Sequence, residues 1–208
     1  RVAQHPQCPP DLLAALATDE SPWVRRAVAS HPHCPPQTCA QLAKDAAADV
    51  RAAVAGNGNC SSVLLVAIAR DHDANVRAAV ARNPHCPAKI LGRLAKDQKL
   101  SVRQAVAQHP HCSPVTLLQL VKQGDWLVQM AVIQHPNCPV DLLLKEGSPE
   151  LVKELLAIRQ LSLAQLQAGL QGPHAALIEQ HIHTQGTLTA LTWLQPPRDR
   201  SGELVNTR

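Results

Sequence analysis

The chain has 208 residues, a formal net charge of +4 and 45% hydrophobic residues. It carries no glycine period, no apolar run near membrane-spanning length and no block of like charge, which excludes the collagen-like, transmembrane and disordered classes; the charge is too mild to imply nucleic acid by itself. Phe and Tyr are absent and the rings are Trp23, Trp126 and Trp193, so a core of Ala, Val and Leu suits thin, closely stacked layers better than a thick globule.

From the first residues onward the chain repeats itself. Cysteines fall at Cys8, Cys34, Cys60, Cys86, Cys112 and Cys138, each 26 residues after the last. Around them recur His31-Pro32-His33-Cys34-Pro35, Asn83-Pro84-His85-Cys86-Pro87, His109-Pro110-His111-Cys112-Ser113 and His135-Pro136-Asn137-Cys138-Pro139. The chain opens at Arg1-Val2-Ala3, inside a repeat and without Met, so it reads as a fragment, with any targeting segment lying upstream.

Each unit encodes two short helices. The first begins near Val-Arg, as in Val50-Arg51-Ala52-Ala53-Val54-Ala55, and places Val, Ala and Val at i, i+3 and i+4 on one face. Asp49, Asn75 and Ser101 stand before the Val as expected caps. Pro32, Pro84, Pro110 and Pro136 stop this helix, and the His or Asn before each Pro fits a left-handed or cationic C-terminus. The second helix is expected to open at Cys-Pro, with Cys as a weak cap, Pro at the first position and some 3₁₀ character at that end. Leu12, Leu13 and Leu16 form its buried face, matched by Leu64, Leu65 and Ile68, by Ile90, Leu91 and Leu94, and in the second unit by Thr38, Cys39 and Leu42, where Cys39 replaces a Leu. Helices shorter than about 12–15 residues are marginal alone, so stacking must supply the burial. The small-residue column Ala27, Ala53, Ala79, Ala105 and Ala131 is where neighbouring helices are expected to approach.

The pattern frays after Glu150. Val152 to Ala157 aligns with a first helix, and Ser162 falls in the Cys slot with Leu166 and Leu170 following. Residues 1–150 therefore read as tandem repeats, the first one truncated. Residues 151–194 read as a degenerate capping repeat with terminal helices over Pro173–His183 and Thr187–Leu194, broken at Gly186. Residues 195–208 read as a disordered tail.

The unit Val-Arg-x-Ala-Val-Ala … Asn/His-Pro-x-Cys-Pro-x-x-Leu-Leu-x-x-Leu-Ala-x-Asp resembles the leucine-rich repeat variant family over roughly residues 1–150. The resemblance implies an all-α, right-handed α-solenoid of 26-residue two-helix repeats, in which an α helix alternates with a short α or 3₁₀ helix. Members of that family have no well-established biochemical function, and one carries an amino-terminal cysteine-rich iron–sulfur domain; no Cys-x-x-Cys occurs here. The Asp-to-Val-Arg stretches are also similar to HEAT repeats, where an Asp and Arg ladder ties neighbours together.

Four columns are candidate sites. The cysteines Cys8, Cys34, Cys60, Cys86, Cys112 and Cys138 suggest metal or redox chemistry. Packed helices lie about 8–10 Å apart, however, while a disulfide needs Cα atoms within about 7 Å and zinc needs sulfurs at about 2.3 Å. A structural column is the expectation, and so many unpaired thiols point to a reducing cytoplasm. The sets His31-His33-Cys34 and His109-His111-Cys112 suit a soft divalent metal, but Asn57, Asn59, Asn83 and Asn137 occupy the same slots in other units, so turn chemistry is expected. Arg25, Arg51, Arg77 and Arg103 follow Asp19, Asp45, Asp71 and Asp97 by six residues, which suggests pairing across each loop. Lys44, Arg70, Lys96 and Lys122 form a basic stripe at the end of the second helices, either a solvated helix end or a partner-binding surface.

No nucleophile elbow, phosphate loop or zincin motif is present. The expectation is a monomeric, non-enzymatic scaffold without cofactor or membrane association that binds a protein or peptide. The alternatives are a nucleic-acid-binding HEAT-like solenoid, disfavoured by the scarcity of rings for base stacking, and a metal, iron–sulfur or redox accessory protein whose cofactor domain lies upstream.

Overall fold

The computed structural model describes residue 3 and residues 5–184. The expected helix over Thr187–Leu194, the break at Gly186 and the disordered tail lie outside the described residues. All described regular structure is helical apart from turns, and the chain divides into two compact units, Arg1–Cys138 and Pro139–Arg208. The division falls earlier than the boundary at 150 read from the fading repeat.

In the first unit, second-type helices α1 (Pro10–Leu16), α3 (Pro36–Leu42), α5 (Ser62–Ile68), α7 (Ala88–Leu94) and α9 (Pro114–Val121) alternate with first-type helices α2 (Pro22–Ala29), α4 (Ala48–Gly56), α6 (Ala74–Arg82), α8 (Leu100–Ala107) and α10 (Trp126–Gln134). The first-type helices stack directly, α2 on α4, α4 on α6, α6 on α8 and α8 on α10. Each second-type helix from α3 to α9 packs on the two first-type helices that flank it. This is an all-α solenoid of two layers, with close stacking confined to the first-type layer.

The reason is side-chain size. Val54, Val80 and Val106 are fully buried, and so are Ala29, Ala55, Ala81 and Ala107 beside them. Methyl groups at these Ala positions allow helix axes to come close while the valines fill the seam. The expected Ala27 column is only half-buried except at Ala105; the seam lies two residues further along the helix. In the second-type layer Leu13, Leu65, Leu91 and Leu117 are buried to 1% exposure or less, whereas Leu12 in the terminal repeat is 38% exposed.

The helix ends differ from expectation. The first-type helices start earlier, so Asp49, Asn75 and Ser101 lie inside the first turn and the capping positions are Ala47, Asp73 and Lys99. Only Asp73 of these three caps with its side chain, accepting from the Asn75 and Val76 amides. The second-type helices are capped by the residue after Cys: Pro9, Pro35, Ser61, Pro87 and Ser113. Their cores carry i to i−4 bonds, such as Cys39 to Pro35 at 2.9 Å. Three-residue bonds occur at the C-terminal end, as in Lys44 to Gln41 and Asp45 to Leu42, and also at the expected Pro start of some helices, as in Ile90 to Pro87 at 2.8 Å. The Pro ring there fixes an extended cap from which the helix begins.

The second unit holds α11 (Val140–Glu146), α12 (Pro149–Ile158), α13 (Leu163–Leu170) and α14 (Ala175–Thr184). Ser162 is the cap of α13, in a capping box with Gln165. It therefore stands one position later in helix phase than the Cys slot expected for it. Gly169 lets α13 and α14 close, because a Cβ there would meet Ile178 Cδ1 at 2.5 Å.

Candidate functional site

The turn between the two helices of a repeat leaves backbone groups that neither helix can satisfy, and the residue three before each Cys satisfies them. Asn57 Nδ2 donates to the carbonyls of Ala29 (2.8 Å) and His31 (3.0 Å), while its Oδ1 accepts from the Asn59 amide (2.9 Å). Asn83 repeats this on Ala55, Asn57 and His85. Histidine does the same work at the other rungs. His31 Nε2 faces the His5 carbonyl at 3.0 Å, His109 faces that of Asn83 at 3.0 Å, and His135 faces that of His109 at 2.8 Å. In each the Nδ1 accepts from the amide two residues on.

One ring nitrogen accepts from a backbone N–H and the other meets a carbonyl, so Nδ1 serves as the acceptor and Nε2 as the donor. Such a ring offers the same acceptor–donor pair as an Asn amide, which explains why the two residue types interchange. All five side chains are buried. Burial, joined by the nearby His111 and His135, lowers the His109 pKa against the opposing pull of the Asn83 carbonyl. The left-handed C-terminus expected from the sequence is absent: Asn57 and Asn83 have φ of −71° and −68°. A His-to-carbonyl rung recurs in the second unit, where His174 Nε2 meets the Gly147 carbonyl at 2.8 Å.

A second ladder runs through the other loops. Arg25 Nη1 reaches the backbone carbonyl of Asp19 at 2.8 Å, but its ion pair goes forward, bidentate, to Asp45 of the next repeat at 2.6 and 3.0 Å. Arg51 with Asp71 and Arg77 with Asp97 follow suit. The pairing expected across each six-residue loop is thus a backbone contact; the side chains bridge repeats. Each ladder carboxylate also anchors the next helix, Asp45 accepting from the Ala47 amide and Asp71 from the Asp73 amide at 2.8 and 2.9 Å. The Arg25 hydrogen bonds hold Asp45 below the ordinary carboxylate range. At Asp71 and Asp97 burial alone would raise the pKa, and the Arg bonds with backbone donors outweigh it.

The ladder's last carboxylate was not legible in the sequence. Gln123 occupies the Asp slot, and Arg103 pairs instead with Asp125. Gly124, with φ 79°, turns the chain so that Asp125 arrives there. The signal available was Gly124 itself, beside an acidic residue in a loop whose slot had lost its own.

The thiols are buried from Cys8 through Cys112 and half-buried at Cys138. Burial pushes Cys60, Cys86 and Cys112 up to about 11. Each Cys amide closes the turn onto the carbonyl three residues back, as Cys34 does on His31 at 3.0 Å. The column therefore sits one residue before the cap, not at it. Among the described residues no group of three His, Cys, Asp or Glu side chains converges to hold a metal.

Lys44, Arg70, Lys96 and Lys122 are all exposed at the ends of α3, α5, α7 and α9. Near the start of the first unit, Trp23 is 72% exposed with the Arg26 guanidinium 5.9 Å from its ring centre. Both line a groove of about 450 Å³ that also includes Ser30 and Pro32. Sequence reading passed over this pair because a lone Trp in a repeat gives no sign of its exposure.

Residues 74–98 match the family model described as leucine rich repeat variant. Among solved structures, the chain is similar to one described as a leucine-rich repeat variant with a novel repetitive protein structural motif, at 28% identity and a TM-score of 0.53, covering 80% of this chain and 61% of that one. The chain thus spans about three fifths of the solved chain it matches. No curated protein matches.

Proposed function

We propose that this chain, which is similar to leucine-rich repeat variant proteins in sequence over residues 74–98 and in fold, is a non-enzymatic scaffold whose repeat surface binds a protein or peptide. The observation that carries the reading is where the conspicuous polar residues are used. His31, Asn57, Asn83, His109 and His135 bind backbone of the preceding repeat, and Arg25, Arg51, Arg77 and Arg103 bind a carboxylate of the following one. Groups that serve as general acids, ligands or phosphate clamps elsewhere are here the mortar between repeats. What faces a partner is the regular outer surface, which includes the basic stripe and the Trp23–Arg26 pair. Extended surfaces of this kind are how solenoids bind.

The test is selection of peptides from a displayed library on the purified chain. Each selected peptide is then titrated against Trp23→Ser and against the combined Lys44→Glu, Arg70→Glu and Lys96→Glu variant. Specific peptides that lose at least tenfold in affinity on one variant support a surface scaffold. Failure to select any peptide, or peptides indifferent to both surfaces, overturns it. Salt-dependent binding of single-stranded nucleic acid by the same stripe would replace it with the nucleic-acid reading.

A further inference from the structure

In each repeat of the first unit the Cys stands at N′, immediately before the cap, and the residue five further on is the fourth of the helix. These are the two positions that pack together in a hydrophobic staple. The partners of Cys8, Cys60, Cys86 and Cys112 are Leu13, Leu65, Leu91 and Leu117, all buried to 1% exposure or less. In the second repeat alone of these, the partner of Cys34 is Cys39, so the staple is a dithiol. Cys39 Sγ donates to the Cys34 carbonyl oxygen at 3.8 Å, and Cys34 Sγ donates to the Pro35 carbonyl at 3.8 Å. The interaction between the two thiols holds Cys39 below the ordinary thiol range and pushes Cys34 up. Cys34 also lines an open groove of about 690 Å³ walled by Pro9, Pro10, Pro35 and Pro36, which gives a small oxidant a path to the pair.

We propose that Cys34 and Cys39 form an intra-repeat redox site that closes to a disulfide on reaction with a peroxide. One thiolate attacks a peroxide oxygen, becoming a sulfenic acid and releasing hydroxide. The second thiol then attacks that sulfur, the S–S bond forms, and the hydroxyl leaves as water after taking a proton. Two thiols and one hydrogen peroxide thus give one disulfide and two waters. The reaction replaces the soft contact at the start of α3 with a covalent one and leaves the other staples, each with a Leu partner, unchanged.

The test uses the full chain, reduced and freed of oxygen, then treated with hydrogen peroxide under native conditions and mapped by differential alkylation and peptide mass spectrometry. The expected result is a Cys34–Cys39 bridge that forms at least tenfold faster than any loss of Cys60, Cys86 or Cys112, and that a dithiol reductant reverses. Cys39→Leu installs the residue the other repeats carry, so it retains the fold, checked by circular dichroism, and is expected to abolish the bridge. Uniform oxidation of all cysteines, a Cys39–Cys60 bridge, or no bridge at peroxide levels that oxidise a free thiol would each overturn the proposal.

Discussion

Asn83 donates from its side-chain amide to the backbone carbonyl of Asn57, 26 residues earlier, at 2.9 Å. Asn57 makes the same bond to His31, and His109 takes up the chain from Asn83. One side chain per repeat therefore sews each turn to the previous one, with both partners buried.

The interchange of Asn and His at this rung is directly testable. Asn83→His keeps the acceptor and the donor to Asn57, losing only the bond to Ala55, and is expected to cost about 1 kcal/mol. Asn83→Ala strands the carbonyl of Ala55 and the amide of His85, leaves the Asn57 carbonyl with the Cys60 amide alone, and is expected to cost about 2–3 kcal/mol. Urea unfolding of the two variants checks this; equal losses would refute the donor–acceptor account.

The His109 rung predicts a pH dependence. Because the His109 pKa is lowered in the folded chain, the unfolded state takes up protons first. Stability should be level above neutral pH and fall as pH drops through the unfolded His value of about 6.5 toward the lower folded value. Urea midpoints between pH 8 and pH 5 should show a shallower fall in His109→Asn, which has no proton to gain.

The Arg–Asp ladder acts lower on the pH scale. The carboxyls of Asp45, Asp71 and Asp97 are depressed in the folded chain. Their contribution is thus complete above the ordinary carboxylate value of about 4 and is lost as pH falls through the folded values. Asp71→Ala leaves the nearly buried Arg51 without its partner and is expected to cost about 3 kcal/mol at neutral pH. Calorimetry at neutral pH and near pH 3 should show the difference between variant and parent shrinking in acid.

Two helical glycines should respond oppositely to Ala. A Cβ on Gly92 would meet nothing closer than Thr116 Oγ1 at 3.9 Å, so Gly92→Ala should stabilise by about 0.5–1 kcal/mol. A Cβ on Gly169 would meet buried Ile178 Cδ1 at 2.5 Å, and Gly169→Ala should destabilise by about 1–2 kcal/mol despite its better helix propensity. Ile178→Val removes the clashing carbon, and melting of the double variant should show recovery of part of the Gly169→Ala loss.

Much of this fold was legible because the repeat is a local code. Val-Arg phases one helix, Leu-Leu phases the other, and Pro punctuates both; periodicity alone gives the two-layer array. Helix ends were less legible. Asp49, Asn75 and Ser101 look like caps, but ladder carboxylates such as Asp45 and Asp71 hold the chain at the true start, and that anchoring depends on an Arg 20 residues before them.

Register, helical class and the chemical types along each column are written in the repeat, because they follow from spacing and from what each side chain can donate, accept or bury. Direction is set by packing. Whether Arg51 pairs with Asp45 or Asp71 and whether Asn83 caps its own helix or bonds the previous turn depend on which groups stacking brings within about 3 Å. Hydrogen bonds act over that range, and sequence spacing does not say which repeat supplies the partner.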